Sequence, residues 1–370
     1  MNRLVSGSMI ALVAYLGYAS LSASKHSSGP SEATDESEAS SPSSHAPQIA
    51  PPAIISSTLD DFFAAPKREI AGVPRGFRII ALSTLAESLT MQPVSGDRAT
   101  RATRLVELAL SPRVRPYRST IHQARLGAHG LYLAHLNIVL GVYELLAQDG
   151  RYKRLHTRAT RHLLSISNNP LAHAPSYPNE KARWPADQSA LLFSVWLYDR
   201  AHGTTLAHEP VRRWLDVMQN HTAADYGHLP ASELSGTKAD AALPRGCAMS
   251  FTTHYAAAFA PDYARDLWRR YRREFMVDFF GLAGLREWPR GIERKADIDS
   301  GPIVRGIGAA ATGLGLGAAG DVGDKARQAR MIRTMNLVHE MNRSAMEVGR
   351  SLLARAIAYR GVYAAGWWKE

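Results

Sequence analysis

From about residue 59 onward, apolar positions recur with helical spacing, and stretches of two kinds alternate. The first kind is apolar almost all round. Residues 131–146 stop before Asp149-Gly150, and residues 184–198 stop before His202-Gly203. The second kind is more charged and amphipathic, as in residues 151–164 and 210–218. Two further pairs follow, 247–259 with 263–275 and 300–319 with 325–341. A helix that is apolar on every side must be buried, and an amphipathic one lies outside it. No sustained alternation of β-branched residues occurs, and no Asn-Gly or Asp-Gly pair joins two strand-like runs, so the chain reads as all-α.

The apolar members of the pairs start near Arg75, Gly130, Trp184, Arg245, Ser300 and about Gly349. Their spacing of roughly 50–60 residues is a repeat of helical hairpins. Six hairpins with buried inner helices close into an (α/α)6 toroid; an open superhelix is the alternative. The atypical last repeat, ending Gly366-Trp367-Trp368, favours closure.

The chain ahead of the hairpins differs in kind. Residues 9–21 form an apolar run behind Arg3. The run fits a secretory signal or, extended back to Leu4, a membrane anchor. Residues 24–57 are rich in Ser, Pro, Glu and Ala and bury too little apolar area to offset ordering entropy. The expected division is therefore 1–23 signal or anchor, 24–57 disordered linker and 58–370 toroid domain. It places the domain in the cell envelope, on the periplasmic or secreted side, with the N-terminal segment as its contact with a membrane.

Composition narrows the chemistry. The net charge is +11, but Lys and Arg are scattered. The one cluster, Arg265, Arg269, Arg270, Arg272 and Arg273, reads as the solvated side of a helix. With no zinc-finger spacing and no RNA-binding aromatic motif, no nucleic-acid partner is expected. The single cysteine, Cys247, excludes an intrachain disulfide and a Cys-rich metal site. No His-Glu-x-x-His occurs, so neither a metal nor a cofactor is expected. Gly306, Gly308, Gly313, Gly315 and Gly317 follow no strand and read as small residues that let helices approach closely.

In a ring of hairpins, the N-termini of the inner helices and the loops before them face a shared cavity. Candidate chemistry therefore lies in those loops. Asp297 and Asp299 stand two apart in Asp297-Ile298-Asp299-Ser300-Gly301-Pro302, so on an extended loop both project the same way. A carboxyl perturbed by burial or by a second carboxylate can act as acid or base. Asp299 or Ser300 could equally be a helix cap. Asp187, in the first turn after Trp184-Pro185, is the partner carboxyl. Trp184, Tyr177, Glu180, Arg245 and His129 are the candidate substrate-binding groups. Cys247 and His254 lie seven apart on one helix, about 10 Å along its axis, too far for a nucleophile–base pair. Cys247 reads as buried and inert.

Three stretches together resemble a known group: Trp184-Pro185-Ala186-Asp187, Arg245-Gly246-Cys247-Ala248-Met249-Ser250, and the 297–302 segment with Ala310-Ala311-Thr312-Gly313. They look like uncharacterised bacterial envelope proteins that share the (α/α)6 fold of linalool dehydratase/isomerase. The resemblance spans about residues 76–341. It implies the toroid and a dehydratase/isomerase-like lyase or a hydrolase acting on a hydroxylated small molecule. A glycan is the alternative substrate, since glycan-cleaving toroids use carboxylate pairs. A non-catalytic envelope scaffold is the alternative to an enzyme. The dehydratase/isomerase carries two cysteines in its site and this chain has only Cys247, so that chemistry does not transfer.

Overall fold

The computed structural model describes residues 49–91, 97–234, 243–341 and 351–366. The expected signal or anchor, the linker as far as residue 48, and the positions Gly349, Trp367 and Trp368 lie outside the described residues.

The described chain is predominantly helical. Three short helices come first: α1 (Ala53–Ser56), α2 (Thr58–Ala64) and α3 (Pro66–Ala71). Buried and more exposed helices then alternate. The buried set is α4 (Arg78–Ser88), α6 (Gly130–Ala147), α8 (Pro185–His202), α10 (Gly246–Phe259), α12 (Ala309–Asp321) and α14 (Leu352–Val362). Between them lie α5 (Arg98–Ala109), α7 (Lys153–Ser167), α9 (His208–Asn220), α11 (Pro261–Phe275) and α13 (Lys325–Met341). Inner helix packs on inner helix in sequence order from α4 to α14, and α14 packs on α4. The five outer helices each pack on the inner helix before them. Helix α6 is long and apolar enough to cross a membrane by composition, yet most of it is buried inside the fold.

Helix α14 has no outer helix after it among the described residues. Its cover comes from α1 and α2, at the other end of the chain. Ile55, Leu59 and Phe62 are buried there, and Arg355 reaches Glu69 Oε2 at 2.5 Å and Asp61 Oδ2 at 3.5 Å. This corrects the expected linker boundary at residue 57. Residues 53–57 are folded because the sixth inner helix needs an apolar cover, and Ile55 supplies part of it.

Helix ends follow the local sequence. Pro185 occupies the first turn of α8, and Gly203 stops that helix with a left-handed φ of 65°. The fifth inner helix is different. The expected helix over 300–319 begins only at Ala309, because Ile303–Val304 (β5) and Ile307–Gly308 (β6) pair antiparallel ahead of it. Arg305 and Gly306 make the turn with φ of 49° and 82°, the all-positive geometry of a two-residue hairpin loop. The β-branched Ile303 and Val304 favour a strand over a helix here. Two more antiparallel pairs join Thr222–Ala223 (β1) to Leu229–Pro230 (β2) and Met276–Phe279 (β3) to Leu282–Leu285 (β4). All three pairs among the described residues are short, local and lie between helices, so the helical class holds.

Close backbone approach positions α10 and α12. A Cβ at Gly246 would collide with the Arg286 carbonyl, and one at Gly315 with the Leu285 side chain. Toward the C-terminal halves of the inner helices, charges knit four of them together. Glu87 of α4 takes His254 Nε2 at 3.1 Å, the Tyr255 hydroxyl at 3.0 Å and Arg360 Nε at 3.3 Å. Asp321 of α12 takes His254 Nδ1 at 2.6 Å and Arg360 Nη1 at 2.9 Å. Both ring nitrogens of His254 thus face carboxylates.

Candidate functional site

The N-terminal ends of the inner helices surround a cavity of about 350 Å3. All six contribute to its wall. Phe77 and Ile80 come from the start of α4, Leu131 from α6, and Ala186 and Asp187 from α8. Cys247, Ala248 and Phe251 come from α10, Ala310 and Leu314 from α12, and Leu353 and Ile357 from α14. The loops before these helices add Tyr177, Glu180, Trp184, Ser232, Arg245, Ile298 and Asp299. The lower wall is apolar and the charged groups sit around the upper rim. Phe251, Leu314 and Ile357 also border a void of about 20 Å3 that leads toward Thr84, His254 and Arg360.

Asp187 is set by two loops. Its Oδ2 accepts the Ser176 hydroxyl at 2.5 Å. Ser176 is itself held because the Gly130 and Leu131 amides donate to the Pro175 and Ser176 carbonyls at 3.1 and 3.2 Å. Burial pushes the Asp187 carboxyl up to about 6, Ser176 opposes the rise, and the nearby Glu180 and Asp299 add to it. Glu180 accepts the Trp184 indole N–H at 3.0 Å and the Tyr177 amide at 3.3 Å, which orients the indole at the rim. Tyr177, 48% exposed, has its phenol raised to about 12 by burial and by the carboxylates around it.

Arg245 is the junction of the opposite rim. Its Nε meets Glu287 Oε1 at 2.6 Å, its Nη2 meets Asp297 Oδ1 at 2.5 Å, and its Nη1 lies 3.9 Å from Asp299 Oδ2. Trp288 stacks under the guanidinium at 5.1 Å. Burial raises the Asp299 carboxyl and Arg245 pulls it back. Asp297 behaves oppositely. Burial alone would raise it, but the Ser300 amide, Arg245 and the Asp299 amide hold it below its ordinary range.

The structure brings Asp187, Asp299, Arg245, Trp184, Tyr177 and Glu180 to one cavity although they come from three loops. Two expected residues lie elsewhere. Asp297 is absent from the wall; its Oδ1 accepts from Arg245 and from the Asp299 and Ser300 amides of its own turn. His129 is also absent. Its ring packs edge-on against Tyr117 at 5.0 Å, and burial lowers its pKa. Gly130 abuts the Pro175 carbonyl, and that tight start to α6 turns the preceding residue away from the cavity. Asp299 is not a helix cap either, since the helix starts ten residues later at Ala309. Arg245, expected to hold an anionic group, is already surrounded by three carboxylates.

Cys247 is the wall residue that sequence reasoning set aside. Burial, with Glu287 beside it, pushes its thiol well above the ordinary range, so it is a neutral thiol at the cavity surface. Its place in the first turn of an inner helix, next to Arg245, was the available signal. Phe251, one turn further on, shares its face. The pair of Cys247 with His254 does not form; His254 belongs to the Glu87–Asp321 cluster. Among the described residues, no three His, Cys, Asp or Glu side chains converge as metal ligands. No protein-family model matches the chain.

Proposed function

We propose that the cyclic order of inner helices is an (α/α)6 toroid, and that the chain is an acid/base enzyme of the cell envelope acting on a small hydroxylated molecule inside it. The observation that carries the reading is Asp187: a half-buried carboxyl, pushed up to about 6, at the wall of a ligand-sized cavity. Asp299 is its complement. Its side chain is 58% exposed with Arg245 Nη1 at 3.9 Å, and Arg245 opposes the rise that burial gives its carboxyl. Two carboxyls whose environments separate their protonation states supply an acid and a base.

In the elimination this suits, protonated Asp187 gives its proton to the substrate hydroxyl, the C–O bond breaks and water leaves. Asp299 removes a proton from the adjacent carbon, whose C–H electrons form the new double bond. The net change is loss of one water, and proton exchange with solvent resets both carboxyls. Apolar side chains from α4, α6, α10, α12 and α14 support a substrate with a mainly hydrocarbon body over a glycan, whose hydroxyls would meet few polar partners there. An open cavity bordered by carboxyls supports the enzyme over the scaffold.

The test is a screen of small alcohols for dehydration or isomerisation by the purified chain, followed by Asp187→Asn. That variant should fold and lose about 10²-fold or more in kcat/KM. Wild-type activity should fall as pH rises through about 6, where Asp187 loses its proton. An Asn variant with full activity on an identified substrate would defeat the reading. Envelope location rests on residues 9–21. A reporter fused after Ser57 should be active only outside the cytoplasm, and cytoplasmic activity would defeat that part.

A further inference from the structure

The cavity rim carries more negative charge than it balances. Glu180, Asp187 and Asp299 line it, and Arg245 is the one cationic side chain among the described lining residues. Arg245 is already engaged behind the wall by Glu287 at 2.6 Å and Asp297 at 2.5 Å. Arg183, the nearest arginine in sequence to Asp187, spends its Nη1 on the carbonyls of Glu180, Lys181 and Ala182. Of the three rim carboxyls, Asp299 alone has a guanidinium within 4 Å, with Arg245 Nη1 at 3.9 Å. This surplus stands in a chain whose net charge is +11, so it reverses the sign of the whole molecule at one place.

A second, separate observation is the shape beneath that rim. The six helices leave about 350 Å3 open, and the aromatic rings of Trp184, Tyr177, Phe77 and Phe251 are in its wall. Carboxylates around an aromatic and apolar enclosure attract a cation that has a hydrocarbon body, since ring faces and anions both favour positive charge and the walls exclude water. The donor set does not suit a metal ion, because no three ligating side chains converge there among the described residues.

We infer that the ligand of this cavity carries an organic ammonium group, held at the rim by Glu180 and Asp299 with its hydrocarbon part in the apolar wall below. The inference rests on the reading of the cavity as the substrate site and narrows that substrate to an amine-bearing alcohol. It does not depend on which carboxyl performs the chemistry.

The test uses three probes with one ring and different charge: cyclohexylmethylammonium, cyclohexylmethanol and cyclohexanecarboxylate. Each is titrated calorimetrically into the full-length chain at pH 8, where Asp187 is ionised. The ammonium should bind about ten-fold or more tighter than the alcohol, and the carboxylate weakest. Glu180→Gln and Asp299→Asn, both at the partly solvated rim, should each reduce that preference several-fold. The exposed control Arg212→Ala should leave it unchanged. An alcohol that binds as well as the ammonium, a carboxylate that binds best, no binding of any probe, or a preference that survives both rim variants would overturn the inference. Asp187→Asn separates this from the acid/base reading. Full turnover in that variant, with ammonium preference retained, would remove the catalytic role of Asp187 and leave the ligand class standing.

Discussion

The inner helices carry two clusters of carboxylates and arginine, one toward each end, and they behave differently. The lower cluster of Glu87, His254, Asp321 and Arg360 is buried and closed on itself. Each carboxylate meets an arginine and the histidine, and the void beside it is about 20 Å3. The upper cluster of Glu180, Asp187, Asp299 and Arg245 borders an open space and is short of positive charge. The same residue types thus serve as internal fastening in one place and as a poised site in the other. Mutual pairing and room for a ligand distinguish them, and residue identity does not.

The sharpest way to break this comparison is to remove one charge from the lower cluster. Arg360→Met leaves Glu87 and Asp321 without a guanidinium and should cost about 3–5 kcal/mol of stability, read from the shift of a urea midpoint. A cost below about 1 kcal/mol would mean that the lower cluster is not the fastening described.

At the upper cluster the expectation reverses. Asp187→Asn should be felt in rate, about 10²-fold, with little loss of stability. Its stability effect also has a defined pH dependence. The folded pKa of about 6 lies above the ordinary value of 3.8, so the native state holds the proton more tightly than the unfolded one. Wild type therefore loses stability relative to Asp187→Asn as pH rises from about 4 to about 6, and the difference is flat above that. Paired denaturation curves across that range check it; a difference that moves the other way would show Asp187 to be a stabilising anion.

A smaller effect tests how the upper cluster is positioned. Gly246→Ala places a Cβ against the Arg286 carbonyl, and backbone there cannot yield cheaply. It should cost about 1–3 kcal/mol and displace Arg245 and Cys247. Gly313→Ala, whose Cβ would meet only Ile357 at an ordinary 3.6 Å, should be neutral or gain up to about 1 kcal/mol in the same helix array. The smallest effect belongs to neither cluster. Arg212 pairs with Glu209 and Asp216 on the exposed side of α9, and Arg212→Ala should leave the urea midpoint unchanged within error. A lower midpoint there would show that surface pairs carry more of the fold than the comparison allows.

The hydrophobic pattern by itself determined the helical class, the alternation of buried and outer helices, and most helix starts, because burial of an all-apolar stretch is a local necessity. Gly203 and Pro185 marked ends that backbone geometry alone enforces. It also directed attention to the loops before the inner helices, where six of the eight expected site residues meet. Tertiary structure decided the rest. The β5–β6 hairpin displaced the start of α12, since Arg305-Gly306 makes a tight turn only when both strands find each other and Glu287 nearby. Helix α1 lies inside the expected linker region, where it joins α2 in covering a distant helix, α14. Asp297 and Asp299 look alike in the chain, yet a guanidinium from residue 245 engages one fully and only reaches toward the other. Cys247 and His254 sit on one helix, but packing gives the first to the cavity and the second to the lower cluster. Protonation, charge balance and cavity walls arise from groups far apart in sequence, and only the folded distances set them.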